Sequence, residues 1–330
     1  MTNVLEVEGL TTRFFTRRGA VQAVNDVSFD VPRGGMTGIV GESGCGKSAT
    51  IRSILGLVPS PGRIVAGEAR LEGRDLLSMP ARELREVRGS SVGFVAQNPF
   101  GALNPILRIR KQFHKVIAAH RKVSKEESLE IAREQLRRVG IPGIDRVLNG
   151  YAHELSGGMA QRVVIGMALS LDPRLVIADE PTTALDVTIQ RQILDLIRDL
   201  VVSDQRSILL VTHDLGVVAQ YCDEVVVMYA GKVVETGPVR DVFAAPAHPY
   251  TLALLESVPR RGELLRALTG RVPDLIDYPT GCPYRFRCSL PDDRCEAEAP
   301  VPTALPLAPQ RLASCHREHQ EVIASAARPR

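Results

Sequence analysis

No apolar run in this 330-residue chain approaches the roughly 18 residues that a membrane-spanning helix needs. The first residues, Met1-Thr2-Asn3-Val4-Leu5-Glu6, lack the basic stretch and apolar core of a signal peptide. A cytoplasmic chain is therefore expected, and any work at a membrane would pass through partners. Dense basic tracts are also missing. The formal net charge is only +3 and the arginines are scattered, so nucleic acid is not an expected partner. Internal repeats are absent. Cysteine is scarce, with 6 in the chain, and Cys45 and Cys222 stand alone. What remains is a globular composition, 44% hydrophobic and 24% charged, long enough for one large core or two domains.

Against that plain background two glycine-rich strings stand out. Gly41-Glu42-Ser43-Gly44-Cys45-Gly46-Lys47-Ser48 has the G-x-x-x-x-G-K-S spacing of a phosphate-binding loop. It follows the apolar run Thr37-Gly38-Ile39-Val40 and precedes a helix-like stretch from Ala49 to Leu57. In that setting backbone N–H groups can cradle a triphosphate. Gly41, Gly44 and Gly46 allow close approach, Lys47 can reach the β- and γ-phosphates, and the Ser48 hydroxyl suits Mg²⁺. Cys45 contributes its N–H, and its thiol reads as a tolerated side chain. The second string, Leu155-Ser156-Gly157-Gly158-Met159, opens another apolar segment.

Further along, the patterns are those of an α/β chain. Val4-Leu5-Glu6-Val7, Val27-Ser28-Phe29-Asp30-Val31 and residues 64–73 read as strands in a β-rich lead-in. Val92-Gly93-Phe94-Val95 reads as a buried strand ending near Gln97. Residues 112–120 and 126–139 have helical spacing, and Gly140-Ile141-Pro142 ends the second stretch, so a helical insert is expected over about 100–170. Arg174 to Asp179 and Ser207 to Thr212 are apolar strands of the parallel-sheet type. An amphipathic helix over 188–202 separates them. Val225-Val226-Val227-Met228 and Lys232-Val233-Val234-Glu235 flank Ala230-Gly231, a hairpin signal. After Pro246 the chain turns Pro-rich and loses strong periodicity.

Asp179-Glu180 lies at the carboxyl end of an apolar strand, where α/β sheets bind ligands. His213 ends another strand on the same predicted edge.

Together, in this order, the motifs resemble the nucleotide-binding subunits of ABC transporters. The resemblance implies a P-loop NTPase (RecA-like) core with an antiparallel β subdomain and a helical subdomain. Residues 1–245 would form the nucleotide-binding domain and 246–330 a small C-terminal region. It also implies roles. Asp179 matches the Walker B aspartate, supporting Mg²⁺ with Ser48 and Gln97. Glu180 matches the catalytic carboxylate that orients or deprotonates water. Gln97, opening Gln97-Asn98-Pro99-Phe100-Gly101, resembles the Q-loop, and His213 the switch histidine. Ala184-Leu185-Asp186 resembles the D-loop, with Asp186 near the nucleotide. Gly41 to Ala49 would bind ATP, and Phe14 would stack on adenine. Phe15 is the alternative, because adjacent strand residues face opposite ways. Leu155 to Met159 would be the signature, ending in Met where Gln is commonest, with Gln161 two places on. It would act in trans, closing the nucleotide of a second subunit.

Tyr151 to Met159, with Gln161-Arg162, resembles the oligopeptide/dipeptide importer branch. So does the tail Pro246-Ala247-His248-Pro249-Tyr250-Thr251, then Leu254-Leu255 and Pro259. That branch implies an ATP-hydrolysing motor for di- and oligopeptide uptake, or for a nickel chelate or other small solute. Its partners would be two transmembrane permease subunits, a second and different ABC ATPase subunit, and an extracytoplasmic binding protein. The chain would sit peripherally on the cytoplasmic face of the inner membrane. Soluble ABC ATPases of DNA repair or translation carry two cassettes, a long coiled coil or a zinc hook, none of which is seen.

The other four cysteines cluster late, as Cys282-x5-Cys288-x6-Cys295-x19-Cys315. In a cytosolic chain this favours metal over disulfides. A Pro-rich tail with little core would gain stability from a metal crosslink. Four thiolates suit Zn²⁺ or a 4Fe–4S cluster, and the short C-x2-C knuckle of structural zinc is missing. Similarity to dipeptide-type subunits implies the 4Fe–4S cluster, with His316 a lesser candidate.

Overall fold

The computed structural model describes residues 2–183, 185–258, 268, 270–306 and 308–326. Ala184 of the D-loop string and Pro259 of the tail motif lie outside them. The chain divides into two compact units. One comprises Met1–Val4, Arg33–Gly35 and Met79–Leu210, and the other Leu5–Pro32, Met36–Ser78 and Val211–Arg330.

The second unit holds an antiparallel sheet in the order Gly19–Pro32, Asn3–Thr16, Gly62–Leu71, Arg74–Asp75. Val4, Leu5, Val7 and Leu10 of the long first strand are buried. The expected strands at 4–7 and 27–31 are thus parts of two 14-residue strands. The same unit carries five strands ordered Thr303–Leu305, Ala308–Ala313, Lys232–Pro238, Glu224–Tyr229, Met36–Val40. Met36–Val40 is buried at every position and pairs in parallel with Glu224–Tyr229, from Thr37 opposite Glu224 to Val40 opposite Val227. The hairpin turn at Ala230-Gly231 has φ of 47° and 80°. Both values are positive, as a turn that follows the strand twist requires.

The C-terminal region departs from its loop-like sequence. Ala308–Ala313 pairs antiparallel with Lys232–Pro238, placing Ala313 opposite Glu235. Thr303–Leu305 pairs on its other side, and Pro309, near the start of the strand, leaves the pairing of Leu312 and Ala313 intact while hiding the alternation.

In the first unit Val92–Val95 runs parallel beside Leu175–Asp179, and Ser207–Val211 follows on the other side. Helices fill the stretch from Pro99 to Leu169. Lys125–Arg138 shows why the sequence folds there: Ser124 and Glu127 form a capping box, and Ser128, Ala132 and Leu136 make a buried stripe. Gly140, with φ of 69°, ends the helix, and Ile141 N–H reaches the Leu136 carbonyl at 2.9 Å. Among the described residues no helix is long and apolar enough to cross a membrane.

Candidate functional site: two glycine-rich loops and a strand-end carboxylate

The loop 41–48 follows the buried strand Met36–Val40 and leads into the helix Lys47–Ile54. Its glycines are dictated by space. A Cβ on Gly41 would lie 2.2 Å from the Met228 carbonyl oxygen, and one on Gly46 would lie 2.4 Å from that of Ala23. Gly46, with φ of 106°, starts the helix with no side-chain cap, and a helix start of this kind suits an anion. Lys47 is buried, and its ammonium donates to the carbonyls of Gly41 at 2.7 Å and Glu42 at 3.0 Å. Burial pushes the Cys45 thiol up. It is a packed side chain, as its sequence context implied.

Thr212 N–H donates to the Ile39 carbonyl at 3.1 Å, which sets exposed His213 at the strand end from which the loop departs. On the antiparallel sheet Phe14 is half-buried opposite Gly62, where its ring fills space that a Cβ would need. Phe15 is 47% exposed, with the Arg63 guanidinium 5.8 Å from its ring centre.

In the first unit the strand register places Val95 opposite Ala178. Gln97 and Glu180 each follow two residues later and meet: Gln97 Nε2 donates to Glu180 Oε2 at 3.0 Å. Thr183 Oγ1 donates to the same oxygen at 2.9 Å. Glu180 has φ of 45°, costly for a side chain with Cβ, and the two donors help hold it there. Asp179, one residue earlier, is 4% exposed.

The string 155–159 is also a helix start. Ser156 caps Gly157–Leu169, its hydroxyl accepting from Met159 N–H at 3.3 Å. The Met in place of Gln therefore keeps its backbone role. Gly158 lies under Ile189, where a Cβ would be 2.8 Å from the Ile189 side chain. Ser156, Gly157, Gly158, Leu185 and Asp186 line an open cavity of about 550 Å³. Asp186 caps the next helix, accepting from Ile189 N–H at 3.0 Å.

Of the four late cysteines, Cys282 and Cys295 are buried and Cys288 and Cys315 half-buried. Among the described residues no group of three or more His, Cys, Asp or Glu side chains is arranged to hold a metal ion. Burial, reinforced by the neighbouring cysteines, pushes the Cys282 thiol up to about 11 and that of Cys315 up to about 12. The His316 ring is engaged with the Glu298 carbonyl at 2.9 Å. The tail does not depend on a crosslink for contacts, because Tyr284 packs against Tyr229 and Tyr250 with ring centres 5.1 and 5.3 Å away. Sequence reasoning missed Arg287, whose guanidinium pairs with Glu42 of the phosphate loop. It also missed the role of Tyr250, quoted only as part of a motif.

A phosphate-loop α/β fold with a strand-end carboxylate and a second glycine-rich helix start defines a nucleotide-hydrolysing cassette. Residues 24–183 match the family model for ABC transporters, and residues 234–295 match that for the C-terminal region of oligopeptide/dipeptide transporters. The chain is 46% identical to a probable peptide ABC transporter ATP-binding protein of Sinorhizobium fredii, over 97% of this chain and 96% of that protein. It is 43% identical to the oligopeptide transport ATP-binding protein OppD of Salmonella typhimurium, over 97% and 95%. A post-hydrolysis dimer of the cassette MJ0796 bound to ADP and Pi is similar in structure, with a TM-score of 0.65 and 26% identity, over 72% of this chain and 99% of that chain. The chain belongs to the ABC transporter ATP-binding family, in its oligopeptide/dipeptide branch.

Proposed function

We propose that this chain is the ATP-hydrolysing subunit of an importer for di- and oligopeptides. The observation that carries the reading is Glu180, held by Gln97 and Thr183 directly after the buried Asp179. A fixed carboxylate at a strand end is placed to orient or deprotonate an attacking water. The N–H groups of 41–49 take the phosphates. Lys47 exchanges the Gly41 and Glu42 carbonyls for phosphate oxygens, which suits a charge kept buried until substrate arrives. Mg²⁺ on Ser48, Asp179 and Gln97 would offset phosphate charge. His213 would hold the γ-phosphate, and Phe14 would stack on adenine. Ser156 and the N–H groups of Gly157 and Gly158 would close the site of a second ATPase subunit, with Asp186 beside them.

Two permease subunits and an extracytoplasmic binding protein complete the assembly, placing the chain at the cytoplasmic face of the inner membrane. The test is reconstitution with those subunits. ATP-dependent uptake of a labelled di- or oligopeptide supports the reading. Uptake of a nickel chelate with no peptide transport would replace the substrate and keep the motor.

The finer part concerns Cys282, Cys288, Cys295 and Cys315 as ligands of a 4Fe–4S cluster. Backbone N–H groups of Leu290 and Arg317 already donate to the sulfurs of Cys288 and Cys315, at 3.3 and 3.4 Å. Hydrogen bonds to the sulfurs are among the features that tune such a cluster. Loading would require the four side chains to turn toward one centre. Iron and sulfide analysis of anaerobically purified protein decides it, and colourless protein without iron retires the cluster while leaving the ATPase intact.

A further inference from the structure

Glu42, the second residue of the phosphate loop, is tied in three directions. Its carboxylate takes both arms of Arg287, Nη1 to Oε2 at 2.6 Å and Nη2 to Oε1 at 3.0 Å. Its N–H donates to the Tyr250 hydroxyl oxygen at 2.9 Å, and its carbonyl accepts from Lys47 at 3.0 Å. Arg287 is 3% exposed in its side chain, and Tyr250 is fully buried. Both belong to the C-terminal region, more than 200 positions from the loop in sequence.

The supports are themselves braced. Tyr229, Tyr250 and Tyr284 pack as one cluster, with Tyr229 and Tyr250 ring centres 4.7 Å apart. Arg287 lies 5.6 Å from the Tyr229 ring centre. A second strap reaches the loop by another path. The Tyr278 hydroxyl donates to the Ala230 carbonyl at 2.8 Å, and the next residue, Gly231, donates its N–H to the Cys45 carbonyl at 2.9 Å.

A carboxylate in a triphosphate-binding loop opposes its ligand unless it is neutralised. A planar, bidentate guanidinium does so and also fixes the loop in one geometry. We propose that Arg287, with Tyr250, is a positioning residue for ATP: it neutralises and orients Glu42, so that the C-terminal region sets the nucleotide affinity of the phosphate loop. This rests on the ATP-site reading above and extends it to a segment outside the nucleotide motifs.

The experiment measures MgATP binding to the full chain with a fluorescent ATP analogue, with thermal melting as the check on folding. Arg287→Ala should weaken binding about tenfold, because it leaves an uncompensated carboxylate in the loop. Adding Glu42→Gln should restore affinity to within about threefold of the native chain, since the repelling charge is gone. Arg287→Lys, which keeps the charge but not the fork, should fall between. Native affinity in Arg287→Ala overturns the proposal. So does a double variant as weak as the single one, which would mark a general loss of packing. If Arg287→Ala does not fold, the same comparison between Arg287→Lys and Glu42→Gln/Arg287→Lys decides by the same criterion. Lys47→Ala in the same assay separates the two levels. If it binds ATP like the native chain, the ATP-site reading itself fails. If it loses ATP while the Arg287 variants do not, only the positioning role falls.

Discussion

The loops at 41–48 and 155–159 are both glycine-rich helix starts, yet they are held in opposite ways. The phosphate loop is enclosed, with Gly41 against the Met228 carbonyl, Lys47 buried on the loop's own carbonyls, and Glu42 anchored by Arg287 and Tyr250. The signature loop is capped by its own Ser156 and lines an open cavity of about 550 Å³. On the proposed reading, the enclosed loop binds phosphate within one chain and the open one presents its donors to a partner. Nucleotide affinity should therefore respond to the first loop, and turnover in the assembly to both.

The largest expected effect breaks the comparison at its enclosed side. Lys47→Ala should weaken MgATP binding by the isolated chain by about two orders of magnitude, since it removes the charge paired with the phosphates. Titration with a fluorescent ATP analogue reads this. Ser156→Ala should leave that affinity within about twofold and lower ATP hydrolysis by the assembled complex about tenfold. It should also cost about 1 kcal/mol of stability through the lost cap. A matching loss of binding in the isolated chain would show that the two loops are not separate in function.

Smaller still is the adenine contact. Phe14→Ala should raise KM for ATP several-fold with kcat nearly unchanged, because stacking acts on ground and transition states alike. If Phe15→Ala does this instead, the exposed ring is the stacker and the register shifts by one residue. The last effect tests the anchor beneath the phosphate loop. Burial holds His248 neutral, with its pKa lowered to about 3. The unfolded chain then binds one proton more than the folded chain between about pH 3 and 6.5, so stability falls as pH drops below about 6.5. By pH 5 this amounts to about 2 kcal/mol. His248→Asn retains an acceptor for Tyr250 N–H, which the ring now caps at 3.0 Å, and should flatten that slope in denaturant unfolding.

Local chemistry was the legible part. The loop glycines, the strand Val92–Val95, the helix that Gly140-Ile141-Pro142 ends and the strand-end position of Asp179-Glu180 depend on neighbours within a few residues. The Gln97–Glu180 bond follows once two parallel strands are set in register. Arg287 and Tyr250 escaped because their partner, Glu42, is remote in sequence and no periodicity marks a single buried ion pair. Ala308–Ala313 escaped because its pairing is short and prolines mask the alternation. The cysteines are a different case. Their spacing reads as a ligand set, while among the described side chains none is gathered as one and the segment packs through tyrosines and arginines.

The most direct test of the ATPase account is Glu180→Gln in the complex assembled with its permease subunits, with ATP binding and steady-state hydrolysis measured on one preparation. Loss of the carboxylate that Gln97 and Thr183 hold should lower kcat by a factor on the order of 100 or more while MgATP affinity stays within about threefold. Hydrolysis at the native rate would contradict Glu180 as the group that activates water. Loss of ATP binding in step with hydrolysis would contradict the division between phosphate loop and strand-end carboxylate.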